Sequence, residues 1–307
     1  MPEERGQDVV APAEAAWRRG PGRAGLAIPR QAIWWAQRYP LGAVGLFIVL
    51  GLIVIGVLAP IIAPHEVNEI GVGPPLAGLS PSTPFGTDNL GRDILSRVIW
   101  GARISLSVGF ISVIGGTAVA TVIGLISGYM GGLVDSMIQR TMDAVQAFPA
   151  LILLLIVIRI LGPSLENVIL VIGLGLMPGV IRIVRGAVLS ERNNMYVEAA
   201  RATGASPWRI IFFHIAPNIA PLVIVVMTTL LGTAVLAEAA LSFLGLGVPP
   251  PNPSWGADIN AARTNLPVHI PWVLFPGAAI SLTVLGFNLL GDALRDSLDP
   301  RLRGRLR

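Results

Sequence analysis

Residues Glu198 to Asn218 read EAARATGASPWRIIFFHIAPN, a polar and basic interval set between long apolar runs. The first half, from Tyr196 to Thr203, is rich in Ala and carries Glu198 and Arg201, all good helix formers. Gly204 allows a bend that a residue with a Cβ would resist. Ser206 and Pro207 restart a helix, because the Ser hydroxyl accepts from an orphan amide and Pro has no amide hydrogen to lose at the first turn. The expectation is two short helices at an angle. They meet at a small-residue apex of Ala199, Ala200, Ala202, Gly204 and Ala205, a shape suited to close docking in another protein's cleft.

The flanking chain sets the class. Of 307 residues, 53% are hydrophobic and only 13% charged, with a mean hydropathy of +0.70. That is too apolar for an ordinary soluble domain and points to an all-α integral membrane protein. There is no Cys, which excludes disulfides, thiol catalysis and Cys-ligated metals. Lys is also absent, so all 22 basic residues are Arg and the chain has neither a P-loop lysine nor a Schiff-base lysine. A net charge of +4 hints at nucleic acid. The Arg residues instead sit at the ends of apolar runs, which is a topology signal, and no nucleic-acid partner is expected.

Six spans of roughly 20 apolar residues follow. They are Ala43–Ile62, Ile104–Tyr129, Asp135–Ile160, Val168–Val184, Ile219–Phe243 and Val273–Leu290. Gly124 and Gly128 in the second have the small-xxx-small spacing that lets helix backbones approach. The third is continuously apolar only from Ala144 to Ile158, so Arg140 and Asp143 belong near one interface and Arg159 near the other. In the fourth, Pro178 predicts a kink. Residues 1–40 read as a mostly mobile tail. Trp34, Trp35 and Tyr39 are placed at headgroup level, and the first apolar run is too long for a cleaved signal. The expected organisation is therefore this tail, a first helix with an external segment over 41–103, a core over 104–295 containing the loop 187–217, and a basic tail over 296–307. The N-terminal tail, Arg140, the loop from Arg182 to Arg209 and the C-terminal tail hold most of the Arg. Only Arg92, Arg97, Arg103, Arg159 and Arg263 fall on the opposite side, so both termini and the Glu198 loop are expected in the cytoplasm.

Of the two external segments, His65 to Arg103 opens as extended chain. Thr87 or Asp88 then caps a helix through Asp93 and Arg97, which stand four apart as a helical ion pair. The reading favours an interfacial helix lying on the membrane. Leu244 to Trp272 is dense in Pro and forms no regular sheet. In the fifth span Glu238 is an ionisable group that either lines a solute cavity or makes a helix-packing hydrogen bond. Asn288 in the sixth is a second possible contact with the path, and Asp292 is expected to pair with Arg295 or a neighbouring helix. His65, His214 and His269 lack ligand spacing and are not assigned a metal. His214 is expected to hydrogen-bond within its loop.

The Glu198 interval resembles the EAA loop of ABC importer permeases, with Glu198, Ala199, Ala200, Gly204 and Pro217 on the pattern; His214 takes an apolar slot and Ala216 replaces the usual Leu. Pro84 to Leu106 (PFGTDNLGRDILSRVIWGARISL), Ala237 to Ile259 (AEAALSFLGLGVPPPNPSWGADI) and Phe287 to Gly304 (FNLLGDALRDSLDPRLRG) are similar to the dipeptide, oligopeptide and nickel branch, C-type subunit. The resemblance implies a type I permease fold with six transmembrane helices and a cytoplasmic coupling helix. It also implies a pore shared with a second, B-type permease as a heterodimer, two ATP-binding subunits that hold ATP and Mg, and an extracytoplasmic solute-binding protein. No cofactor belongs to the chain itself, and peptides, or alternatively nickel, are the implied solutes. Glu198 and Arg209 are the implied polar contacts with the ATPase; Ala199, Ala200, Arg201, Gly204, Ala205, Ser206 and Pro217 complete the coupling surface. A secondary transporter would instead show a repeated half or several mid-membrane charges, and a membrane enzyme a convergent catalytic cluster. Neither is visible.

Overall fold

The structure is a computed structural model that describes residues 33–265 and 268–298. Most of the expected N-terminal tail, up to residue 32, and the C-terminal tail past Leu298 lie outside the described residues. The chain from Leu41 onward forms one compact unit and residues 33–40 belong to another, in which the Trp35 and Tyr39 rings stand 5.8 Å apart.

The helices are α1 (Pro40–Ile62), α2 (Ile94–Met130), α3 (Gly132–Gln146), α4 (Ala150–Leu161), α5 (Leu165–Glu191), α6 (Met195–Ala202), α7 (Pro207–Phe243), α8 (Trp255–Ala262) and α9 (Pro271–Leu298). Five of them, α1, α2, α5, α7 and α9, are long and apolar enough to cross a membrane. The sixth candidate span is α3 with α4, bent by 90° between them.

The third span is thus not one straight helix. Phe148 precedes a proline, which disfavours the α conformation, and Pro149 brings no amide hydrogen to continue the ladder. Pro178, where a kink was expected, lies inside the unbroken α5 and is buried. The difference is packing. Neighbours hold α5 on both sides of Pro178, whereas α3 has no buried residue to oppose a bend.

The centre of the fold is the seam between α2 and α5. A Cβ added at Gly116 would stand 2.6 Å from the Gly173 carbonyl oxygen, and one at Gly124 or Gly128 would reach the Val184 or Val188 Cβ at 2.8 or 2.7 Å. These are backbone-to-backbone approaches, and the Gly124–Gly128 spacing in the sequence marks them. The Ser112 hydroxyl adds a bond to the Ile169 carbonyl across the seam at 3.0 Å.

α2 begins earlier than its apolar run. Asp93 caps it, accepting from the Ser96 amide at 2.9 Å and the Ser96 hydroxyl at 2.6 Å. The expected interfacial helix is therefore the first turns of a 37-residue helix. The Asp93–Arg97 pair is not formed, because Asp93 serves the cap and Arg97 reaches elsewhere.

Gly116→Val should lower the unfolding free energy of the detergent-solubilised protein by about 1–3 kcal/mol through overpacking. Gly179→Ala, where nothing lies within 4 Å of the added Cβ, should be neutral or slightly stabilising, since Ala outranks Gly in a helix by up to about 1 kcal/mol. Denaturation of the two variants side by side checks the seam.

Candidate functional site

α6 ends at Ala202, and Gly204 follows at φ +79°, a conformation that a side chain resists. The Ser206 hydroxyl accepts from the Arg209 amide at 3.4 Å and Pro207 opens the next helix. The second helix is not short. It is the start of the 37-residue α7, and over Ile210–Ile215 it widens into a π-helix. The wider turn sets in just before Pro217, whose ring would otherwise meet the carbonyl four residues back.

The loop has two faces. Val197 and Ala200 are buried against Ile210, Ile211 and Val188. Glu198, Ala199, Arg201, Gly204, Ser206, Arg209 and Pro217 are exposed, with Ala205 half-buried. No atom lies within 4 Å of a Cβ built on Gly204, so the apex is open on that side. The Glu198 side chain makes no hydrogen bond or ion pair among the described residues. Arg201 turns back to α2 instead, its guanidinium 5.3 Å from the centre of the Tyr129 ring. The Tyr196 hydroxyl donates to Glu191 at 2.6 Å; desolvation first, and that carboxylate second, hold the phenol above its ordinary pKa.

The last turn of α2 is where the loop meets the rest of the chain. The Ser127 hydroxyl donates to Asp135 of α3 at 2.6 Å and accepts from Gln139 at 3.1 Å. Asp135 is held by Arg185 of α5 in a two-pronged pair at 2.5 and 2.6 Å. Arg192 donates to the Gly128 carbonyl at 3.1 Å. α3 is tied a second time to α5 by the ion pair of Asp143 with Arg182. Beyond that pair the elbow between α3 and α4 encloses a recess of about 640 Å³, lined by Gln146, Phe148, Pro149, Leu154, Pro178 and Thr233 among others.

Residues 120–304 match the family of binding-protein-dependent transport system inner membrane components. The chain belongs to that family. It is 43% identical over 275 residues, 89% of this chain and 90% of the relative, to the dipeptide transport system permease protein DppC of Alkalihalophilus pseudofirmus. It is 38% identical to the glutathione transport system permease protein GsiD of Pectobacterium atrosepticum, covering 99% of this chain and 96% of that one. A chain of the MetNI methionine ABC transporter, solved in inward-facing conformations, shares the fold with a TM-score of 0.54 at 21% identity, over 69% of this chain and 97% of that one.

In this permease, Glu238 is 0% exposed. Its carboxylate oxygens accept from the Ser105 hydroxyl of α2 at 2.9 Å and the Ser242 hydroxyl at 2.7 Å, and Ser254 just before α8 extends the chain to Ser242 at 3.3 Å. It therefore ties α2, α7 and the α8 cap together at one end of the molecule. Asn288 lies exposed on α9. Asp292 and Arg295 line a recess of about 570 Å³ with Asn218 but form no ion pair with each other. His214 takes part through its backbone carbonyl, which accepts from the Asn218 side chain at 2.8 Å. The His65 amide donates to the Ser96 hydroxyl at 3.0 Å, and His269 Nε2 lies 2.8 Å from the Ala77 carbonyl oxygen, so the two take separate partners.

The cap at that end hangs on a pair that the sequence does not announce. Arg97 of α2 reaches Asp258 of α8, with its Nε at 2.8 Å, and both side chains are buried. Burial pushes the Asp258 carboxyl up and the Arg97 charge pulls it back. Trp255, 0% exposed, fills the space beside them and donates from its indole to the Val98 carbonyl at 2.9 Å. The ion pairs missed from sequence are thus Arg97 with Asp258, Arg182 with Asp143, and Arg185 with Asp135.

Asp258→Asn should cost about 3–5 kcal/mol of stability, since it leaves the Arg97 charge buried without a counter-charge. Replacing both, Arg97→Met with Asp258→Leu, should recover most of it. Thermal unfolding of the single and double variants in detergent is the check.

Proposed function

We propose that this permease is the C-type pore subunit of an ATP-driven importer for small peptides, and that its Glu198 loop is the coupling element. The observation that carries the reading is the loop itself: an open apex at Gly204 between two helices, with Glu198 and Arg209 exposed and uncommitted beside it. A small-residue apex allows close backbone approach to a groove, and the free charges supply polar contacts at its rim. The named substrates of the DppC and GsiD relatives, dipeptides and glutathione, support a small peptide as the solute.

In this reading a second, B-type permease completes the pore, two ATP-binding subunits carry ATP and Mg, and an extracytoplasmic binding protein delivers the solute. Both termini and the loop are placed in the cytoplasm, a placement that the Arg distribution supports. ATP binding closes the ATPases on the two loops, and the pore shifts between inward-facing and outward-facing states only as far as the loop contacts differ between them. The route inward is physical. Arg201 against Tyr129, and Arg192 against the Gly128 carbonyl, connect the loop to the α2 turn that also holds α3.

Two outcomes test this. With one Cys at Thr203 and one in the ATPase groove, a disulfide should form in membranes and its yield should change with nucleotide; no cross-link at a reactive Thr203→Cys rejects the coupling role. Gly204→Trp should leave ATP hydrolysis running while uptake falls about tenfold or more, corresponding to a loss of about 1.4 kcal/mol or more in coupling. Normal uptake by that variant contradicts the assignment.

A further inference from the structure

The permease reading leaves the α3–α4 elbow unexplained. In the candidate sixth span the helical ladder stops at Gln146 and resumes at Ala150, with a 90° change of direction. Hydrocarbon cannot satisfy a broken backbone, so irregular chain at membrane depth is found only against protein or a water-filled cavity. The same side of the molecule carries charge. The Asp143 and Arg182 side chains are 63% and 43% exposed while paired to each other, and Arg140 is exposed one turn earlier on α3. Charges on a span also demand water or protein.

These two features adjoin. Asp143 stands one helical turn before Gln146 on α3, and Arg182 one turn after Pro178 on α5, and both Gln146 and Pro178 line the 640 Å³ recess. The ion pair therefore sits at the rim of the recess. Its volume lies within the roughly 300–1,000 Å³ usual for small-molecule sites. The walls are mainly apolar, with the Gln146 amide and the Thr233 hydroxyl as polar exceptions, a lining that accepts side chains of varied kind.

We propose that the elbow is the solute-facing wall of the translocation path in this chain, with Asp143 receiving the ammonium and Arg182 the carboxylate of a passing peptide. The proposal rests on the permease reading. A zwitterion presents both charges at its ends, and the rim presents the complementary two. With no solute present the pair neutralises itself. An exposed ion pair is held weakly, so exchanging partners costs little and does not trap the solute. A helix of the second permease seated here instead would take both charges out of water, which favours the solute as occupant.

The test uses the whole importer reconstituted with its partner permease, ATPases and binding protein, and exploits the absence of Cys in this chain. A single Cys replacing Gln146 is modified with a cationic trimethylammonium and an anionic sulfonate methanethiosulfonate, and the modified fraction of this chain is read by mass spectrometry. The thiol should react with both reagents. Asp143→Asn should shift the rate ratio toward the anionic reagent by about tenfold, and Arg182→Gln toward the cationic one by a similar factor, as expected for one charge a few ångströms away. Millimolar dialanine should slow the reaction about threefold by occupying the site. The swapped variant D143R/R182D, which keeps an ion pair, should fold and retain these rates if either single variant is unstable, with protection by dialanine preserved.

An inert thiol in a complex that still transports means that protein covers the elbow; the proposal falls and the permease reading stands. Reactivity with no charge preference and no protection by dialanine likewise removes the pair from the path. Absence of ATP-driven uptake by the unmodified complex would fail the permease reading itself.

Discussion

In a bilayer apolar side chains gain little by leaving lipid for one another, so helices associate through close packing and shared hydrogen bonds. The α2–α5 seam meets that condition with glycine. At Gly116 the two backbones are near enough that a methyl group has no room beside the Gly173 carbonyl. Everything at either end of the molecule hangs from this pair of helices. The last turn of α2 gathers α3, the end of α5 and the Glu198 loop. The first turns of α2 carry the cap through Arg97, Ser105 and the Trp255 hydrogen bond to Val98.

Polar side chains divide according to these two ends. Around the start of α2 they are buried and paired: Asp93 caps a helix, Arg97 meets Asp258, and Glu238 meets Ser105 and Ser242, with only Asp93 Oδ1 and Asp258 Oδ2 of these carboxylate oxygens lacking a partner. A buried polar group left without a partner costs heavily, so such a set holds its elements in one arrangement. On α3 the pairing is uneven: Asp135 is held by Arg185 and Ser127, whereas Asp143 and its partner Arg182 are exposed. α3 also has no buried residue and starts at Gly132, which like the preceding Gly131 has a positive φ. The chain thus joins a rigid cap to a lightly held arm through one glycine seam.

What the sequence made legible was local. The bend at Gly204, the Ser206–Pro207 start and the Gly124–Gly128 contact each depend on residues within a few positions, and their chemistry admits one reading. The family followed from strings that are local in the same sense. The misread positions depend on remote neighbours. Asp93 suits both an i,i+4 pair and an N-cap, and the choice was made by Asp258, 161 residues from Arg97. Pro149 stands where the helical ladder stops and Pro178 inside a continuous helix, a difference that neither residue's immediate neighbours announce. The surroundings of Glu238 come from Ser105, 133 residues away, and no periodicity announces them.

The wide turn at Ile210–Ile215 gives the Glu198 loop a geometric freedom that a uniform helix lacks. Each residue taken into or released from such a turn rotates the chain on one side of it by about 100° and moves it about 1.5 Å along the axis. The loop and α7 are therefore joined as by the thread of a screw. A small change in hydrogen-bond register beside Pro217 re-aims the Gly204 apex while leaving the packed length of α7 in place.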